Sequence, residues 1–167
     1  RQMCIRDRLD TQESVRDFLT NAVASGRASH AYLFLGAPGA GKLDAAWALA
    51  QAFLCERDGC GSCDSCVRVA RHTHPDVHYY TPESATGYLI AQTRELLDDV
   101  PLAPIRAKAK VYIIDRAEQL RANTANALLK TLEEPPEGVM FILLGTSADV
   151  MLPTIAVSYT HLTLPTT

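Results

Sequence analysis

The sequence predicts an α/β protein: a three-layer sandwich with helices on both faces of a mainly parallel sheet. Three observations carry this. Short apolar runs alternate with helix-periodic stretches of ten or more residues, the pattern that builds strand–helix–strand units. The runs Ala31–Leu35, Val111–Ile114 and Met140–Leu144 are continuously apolar, as strands covered on both faces are. A glycine-rich turn at residues 36–42 links the first run to an alanine-rich helical segment.

The elements follow in order. Val15, Phe18, Leu19, Ala22 and Val23 recur at helical spacing, with Asp10 or Thr11 placed to cap and Gly26 to stop the helix. A strand at Ala31–Leu35 precedes the glycine turn, and a helix runs from about Leu43 to Leu54. Four cysteines interrupt. Behind His74-Pro75-Asp76 a strand is expected at Val77–Thr81, then a helix from roughly Gly87 to Val100 with Leu89, Ile90, Thr93, Leu96 and Leu97 on one face. A loop at Pro101–Ala109 leads to a strand at Lys110–Ile114. A helix over about Arg121–Glu134, stopped by Pro135-Pro136, and a strand at Val139–Leu144 complete the pattern.

Composition narrows the function classes. The 167 residues are 47% hydrophobic and 21% charged, enough for one sizeable core. No apolar run approaches the ~18 residues of a membrane span. A net charge of −3 argues against a surface built mainly to neutralise phosphates, so any DNA role is local or shared. Arg106, Lys108 and Lys110 alternate along an extended segment and are expected to form a solvated, edge-protecting row. His30, His72, His74 and His78 lack helical metal spacing and read as structural or solvent-facing, with His72 or His74 the only spare ligand candidates.

The ends differ from the middle. Residues 9–155 hold 13 basic and 18 acidic side chains, residues 156–167 hold none, and Arg1–Arg8 carry three arginines without helical period. Both ends resemble translated sequencing-adapter sequence. The expectation is a non-native leader at 1–8, which includes Cys4, a native domain at 9–155 and a non-native tail at 156–167. A strand at Tyr159–Leu164 paired inside the main sheet would count against it.

Gly36-x4-Gly41-Lys42, set between a strand and a helix, has the form of a P-loop. Its glycines let backbone N–H groups curl round phosphates at a helix N-terminus. Gly36, Gly39, Gly41 and Lys42 are therefore the expected nucleotide-binding residues. Asp115 ends a buried strand in the manner of a carboxylate that holds Mg²⁺. Two departures weaken the site. Leu43 stands where a Ser or Thr hydroxyl would bind the metal. Arg116 stands where ATPases of the AAA+ type carry the glutamate that orients water, with Glu118 two residues beyond it. Losing such a base costs roughly 10²–10⁴-fold in rate, so no appreciable intrinsic ATPase is expected and ATP binding itself is in doubt.

Cys55-x4-Cys60-x2-Cys63-x2-Cys66 gathers four thiols in one short loop. Four thiolates suit a tetrahedral Zn²⁺ and leave no open position, so a structural zinc is the reading. Disulfides and an iron–sulfur cluster are the rivals. No export signal precedes the cluster, and the bacterial ferredoxin pattern wants Cys and Pro at 70 and 71, where Ala70 and Arg71 stand.

His30-Ala-Tyr-Leu-Phe34, the P-loop, the four-cysteine insertion, His74-Pro-Asp76 and above all Asn126-Ala-Leu-Leu-Lys-Thr-Leu-Glu-Glu-Pro-Pro136 together resemble the bacterial DNA polymerase III clamp-loader subunits, an AAA+ family. The resemblance covers nearly all of Leu9–Ile155. It implies a P-loop NTPase (AAA+/RecA-like) fold and a cytoplasmic place in the replisome at the nucleoid. It also implies partners: gamma/tau and delta subunits in a hetero-pentameric ring that loads the sliding clamp on primed DNA. Two kinds of subunit share these motifs, the gamma/tau ATPase and the delta prime kind, whose ATP site is often degraded. Leu43 and Arg116 make this chain resemble the second. Thr146 matches the position of the family's first sensor residue. The family's trans-acting arginine follows a Leu-Pro-x-Ile segment. Here Leu152-Pro-Thr-Ile155 leads to Ala156-Val-Ser158 and no Arg occurs after Arg121, so the resemblance implies a piece lacking that arginine and the C-terminal domains.

Overall fold

The computed structural model describes residues 13–147 and 160–163. Five strands form one parallel sheet: β1 (Ala31–Leu35), β2 (Val77–Tyr80), β3 (Lys110–Ile114), β4 (Val139–Gly145) and β5 (Thr160–Thr163), in the order β2-β3-β4-β1-β5. Parallel neighbours require crossover connections. The described helices are α1 (Glu13–Ala24), α2 (Lys42–Leu54), α3 (Asp64–Ala70), α4 (Ile90–Asp99) and α5 (Ala122–Glu133), with a 3-10 turn at Ala117–Gln119.

Side chains alternate across the sheet because strand period is two. Tyr32, Phe34, Val111, Ile113, Met140 and Ile142 pack on one face with Leu19, Trp47, Leu49 and Val69. Leu33, Leu35, Tyr112, Ile114, Phe141 and Leu143 pack on the other with Leu96, Leu128 and Leu132. This is the three-layer arrangement expected. No helix among the described residues is long and apolar enough to cross a membrane.

Three local expectations change. Helix α3 begins inside the cysteine segment and runs four residues past its last thiol, a stretch not expected to be helical; Cys63 caps it, its sulfur accepting the Cys66 N–H at 3.4 Å. Helix α4 begins at Ile90, and Leu89 and Ile90 are 39% and 57% exposed instead of facing the core. Gln92 turns the buried face: its Oε1 accepts the Leu89 N–H at 3.0 Å and its Nε2 donates to the Thr81 carbonyl at 2.8 Å. The basic row also breaks up. Lys110 is 3% exposed, donating to the Asp99 carbonyl at 2.6 Å and pairing with the Asp99 carboxylate at 2.8 Å, while Arg106 lies 3.4 Å from Asp64.

Within the stretch set apart by composition, β5 pairs with β1, Thr160 opposite Tyr32 and Thr163 opposite Leu35. The pairing stands at the sheet edge, beyond β1. Cys4, the Asp10 or Thr11 cap and the Leu152–Ile155 segment lie outside the described residues.

The loop into β3 is held by one buried carboxylate. Asp76 is fully buried and accepts the backbone N–H groups of Ile105, Arg106 and Ala107 at 2.5, 2.7 and 2.7 Å. Burial pushes its pKa up, but the three N–H groups prevail and hold it below the ordinary carboxylate value. A lowered folded pKa contributes stability that is present above the unfolded pKa and is lost as pH falls through the folded one. Asp76→Ala should therefore lower unfolding free energy by about 2–3 kcal/mol at pH 7. Urea titrations should show the deficit shrinking below about pH 4 as the wild-type carboxylate protonates.

Candidate functional site

The C-terminal ends of β1, β3 and β4 open into one cavity of about 590 Å³, where ligands of open α/β sheets bind. Gly39, Gly41, Lys42, Asp115 and Thr146 line it, as do Leu43, Arg116, Glu118 and Gln119. Gly36 lies outside the lining and supplies a carbonyl to Lys42. The loop can curl because Gly39 and Gly41 take φ of 83° and 75°, a region open to glycine without steric cost.

Lys42 Nζ donates to the Gly36 and Ala37 carbonyls at 2.6 and 2.8 Å. Burial lowers its pKa, against an opposing pull from Asp115 and Glu118. The Asp115 carboxylate is engaged by local donors: Arg116 N–H reaches Oδ1 at 2.9 Å, Tyr79 Oη donates to Oδ2 at 3.3 Å, and Arg116 Nε stands 3.8 Å from Oδ2. Arg116 takes a left-handed φ of 45° and sends its guanidinium to Thr81 Oγ1 at 2.8 Å. Below, Tyr88 Oη donates to the carbonyls of Tyr80 and Asp115. Glu118 Oε2 is buried and has no hydrogen-bond partner among the described residues. Leu43 presents only hydrocarbon, which a hard cation does not bind.

The second centre sits at the far end of α2, whose C-cap is Cys55. The sulfurs of Cys55, Cys60, Cys63 and Cys66 lie within 4.8 Å of one another, and Cys55 and Cys63 are 3.8 Å apart. A tetrahedron with bonds of about 2.3 Å has edges near 3.8 Å, whereas a disulfide needs about 2.05 Å. The four residues could hold one metal, and they fit zinc. Backbone N–H groups of Arg57 and Cys60 donate to Cys55 at 3.3 and 3.4 Å. The N–H groups of Ser62 and Cys63 bring the Cys60 thiol down to about 5, while burial pushes Cys66 up. Neither His72 nor His74 joins the cluster: His74 Nδ1 accepts the Asp76 N–H at 3.1 Å.

Contacts that motif reading did not supply join the two centres. Gln51 Nε2 donates to the Cys66 carbonyl at 3.0 Å. The His72 ring stacks on Trp47 at 4.0 Å and 12°, and Trp47 lies 6.2 Å from Tyr79. Tyr79 and Tyr88 carry no motif. Only their positions beside the end of β3 give them a role.

A family model described as DNA polymerase III, delta subunit, matches residues 11–167. The chain belongs to the DNA polymerase III clamp-loader family. It is 40% identical over 149 residues to subunit delta' of Bacillus subtilis, covering 87% of this chain and 45% of that protein. It is 42% identical over 148 residues to subunit tau of Escherichia coli, covering 86% of this chain and 23% of that protein. The chain thus spans less than half the length of these relatives. Among solved structures, a gamma subunit-related protein of Thermotoga maritima superposes with a TM-score of 0.65 at 20% identity, over 90% of this chain and 46% of that one. The P-loop NTPase domain of an E. coli sigma-54 activator gives 0.57 at 16%, over 96% and 99%. These two support the P-loop NTPase fold.

Gly87 tests how the cavity wall is built. It has a φ of 115°, and a Cβ there would stand 2.7 Å from the Gln119 carbonyl oxygen in the turn that carries Glu118 and Gln119. Gly87→Ala should cost about 2–3 kcal/mol in chemical denaturation, through backbone strain and displacement of that turn.

Proposed function

We propose that this chain is the P-loop core of a delta prime-type clamp-loader subunit, one that takes its place in the loader without hydrolysing ATP. The observation that carries the reading is the state of the metal-binding position. Leu43 offers no oxygen, and the carboxylate of Asp115 is tied to Arg116 and Tyr79. Lys42, the curled loop and Asp115 are retained, but the hydroxyl that would help hold Mg²⁺ and the glutamate that would orient water are replaced by Leu43 and Arg116. The core is read as residues 9–155, with the cysteine insertion at 55–66 holding a structural zinc. That zinc would fasten α3 to α2 by binding both Cys55 and Cys66. The partners in this reading are gamma/tau and delta subunits in a hetero-pentameric ring. Through the ring the chain meets the sliding clamp and primed DNA in the bacterial cytoplasm.

The competing reading is a gamma/tau-type ATPase, favoured by 42% identity to a tau subunit and by the retained lysine. Steady-state turnover separates the two. Purified protein with Mg²⁺ and ATP should hydrolyse at background, and Lys42→Ala should leave that background unchanged. Metal-dependent turnover abolished by Lys42→Ala would establish the ATPase instead. For the metal, elemental analysis should find one zinc per chain. Cys60→Ser or Cys66→Ser should weaken zinc binding by about 100-fold or more in chelator competition, since each removes one of four thiolate bonds.

A further inference from the structure

Helix α3 ends in a way that singles out His72. Thr73 N–H bonds the Arg68 carbonyl at 2.9 Å, His72 N–H bonds the Val69 carbonyl at 3.0 Å, and His72 has a φ of 57°. This is the Schellman arrangement, whose left-handed residue is most often glycine because other side chains are strained there. An imidazole in that place needs a compensating contact, and it has one. The ring lies flat on Trp47, 4.0 Å between centroids, and covers the indole from the solvent side. Trp47 belongs to the helix that begins with Lys42 and ends at Cys55. Its second ring contact is Tyr79, whose hydroxyl donates to Asp115.

Resting on the reading that the four cysteines hold zinc, we propose that metal occupancy of the cluster sets the order of the P-loop pocket, and that His72 on Trp47 is the contact that transmits it. The two-state element is α3. Seven residues are too few to stand as a helix alone, and α3 carries Cys66 within it and Cys63 as its cap. With zinc bound, both cysteines are tied to Cys55, α3 stays wound and His72 is presented to Trp47. Without zinc, four crowded thiols lose their common partner and α3 loosens. His72 then leaves its strained conformation, Trp47 is uncovered, and Tyr79 and Asp115 lose their support. The coupling is reciprocal: whatever orders the pocket also tightens zinc.

The test uses the full 167-residue chain, loaded with Zn²⁺ or stripped by a chelator, with zinc content measured in each sample. Backbone hydrogen exchange is read at residues 37–42, 112–116 and 139–143, alongside emission from Trp47, the single tryptophan. Stripping should speed exchange at 37–42 and 112–116 by about tenfold, leave 139–143 unchanged and shift Trp47 emission to longer wavelength. His72→Asn keeps a residue that accepts the left-handed backbone and removes the ring. It should still take up one zinc per chain, with an affinity lower by no more than the same roughly tenfold coupling factor, yet exchange faster at the pocket when loaded, with less than about a threefold further rise on stripping. The proposal is overturned if zinc-dependent exchange is confined to residues 55–72, if 139–143 rises as much as the pocket, or if His72→Asn responds like wild type. A folded chain that takes up no zinc overturns the zinc reading together with the coupling.

Discussion

The burial of α2 is the constraint on which the rest depends. Nine of its thirteen residues are buried, five of them alanines at 45, 46, 48, 50 and 52. Small side chains let the helix sit close to the sheet on one side and to the cysteine segment on another. A helix held this way cannot turn or slide without opening voids in a core packed at near-crystalline density. Its two ends are therefore fixed relative to each other. One end presents Lys42 beneath a glycine loop, and the other presents Cys55 to three more thiols.

Around that helix, polar groups are used mainly to hold loops in place. Asp76 gathers three backbone N–H groups of the segment before β3. Asp99 receives Lys110 and Tyr112 on the opposite face, with Lys110 almost fully enclosed. Tyr88 bonds carbonyls at the ends of two neighbouring strands. The same economy extends to Asp115, whose oxygens accept bonds from Arg116 and Tyr79. A carboxylate engaged in this way supports the shape of a pocket more readily than it supports chemistry.

How much of this was legible in the sequence differs by element. Strands β1, β3 and β4 were readable because continuous apolar runs between turn signals leave little choice. The P-loop was readable because the positions of its glycines and lysine follow from the shape of a phosphate. The cysteine cluster was readable from spacing alone, since four thiols so close in sequence meet without long-range folding. Helix α3 was not, because its seven residues include Asp64, Ser65 and Arg68 and bury only Cys66 and Val69, too short a stripe to stand out as a helix. Helix α4 starts later than its apolar spacing predicts because Gln92, a polar residue, faces inward to bond Leu89 and Thr81.

Residue types and their spacing were enough to give the layer order, the glycine loop, the four-thiol set and the two departures from the nucleotide-site pattern, Leu43 and Arg116. These depend on residue type at short range, where spacing and chemistry suffice. The enclosure of Lys110 beside an exposed Arg106, the convergence of Tyr79 and Tyr88 on Asp115, and the seating of His72 over Trp47 emerge only in the folded chain. Each of those depends on bringing side chains from separate elements to one place, which the sheet order and the close seating of α2 determine and no local pattern records.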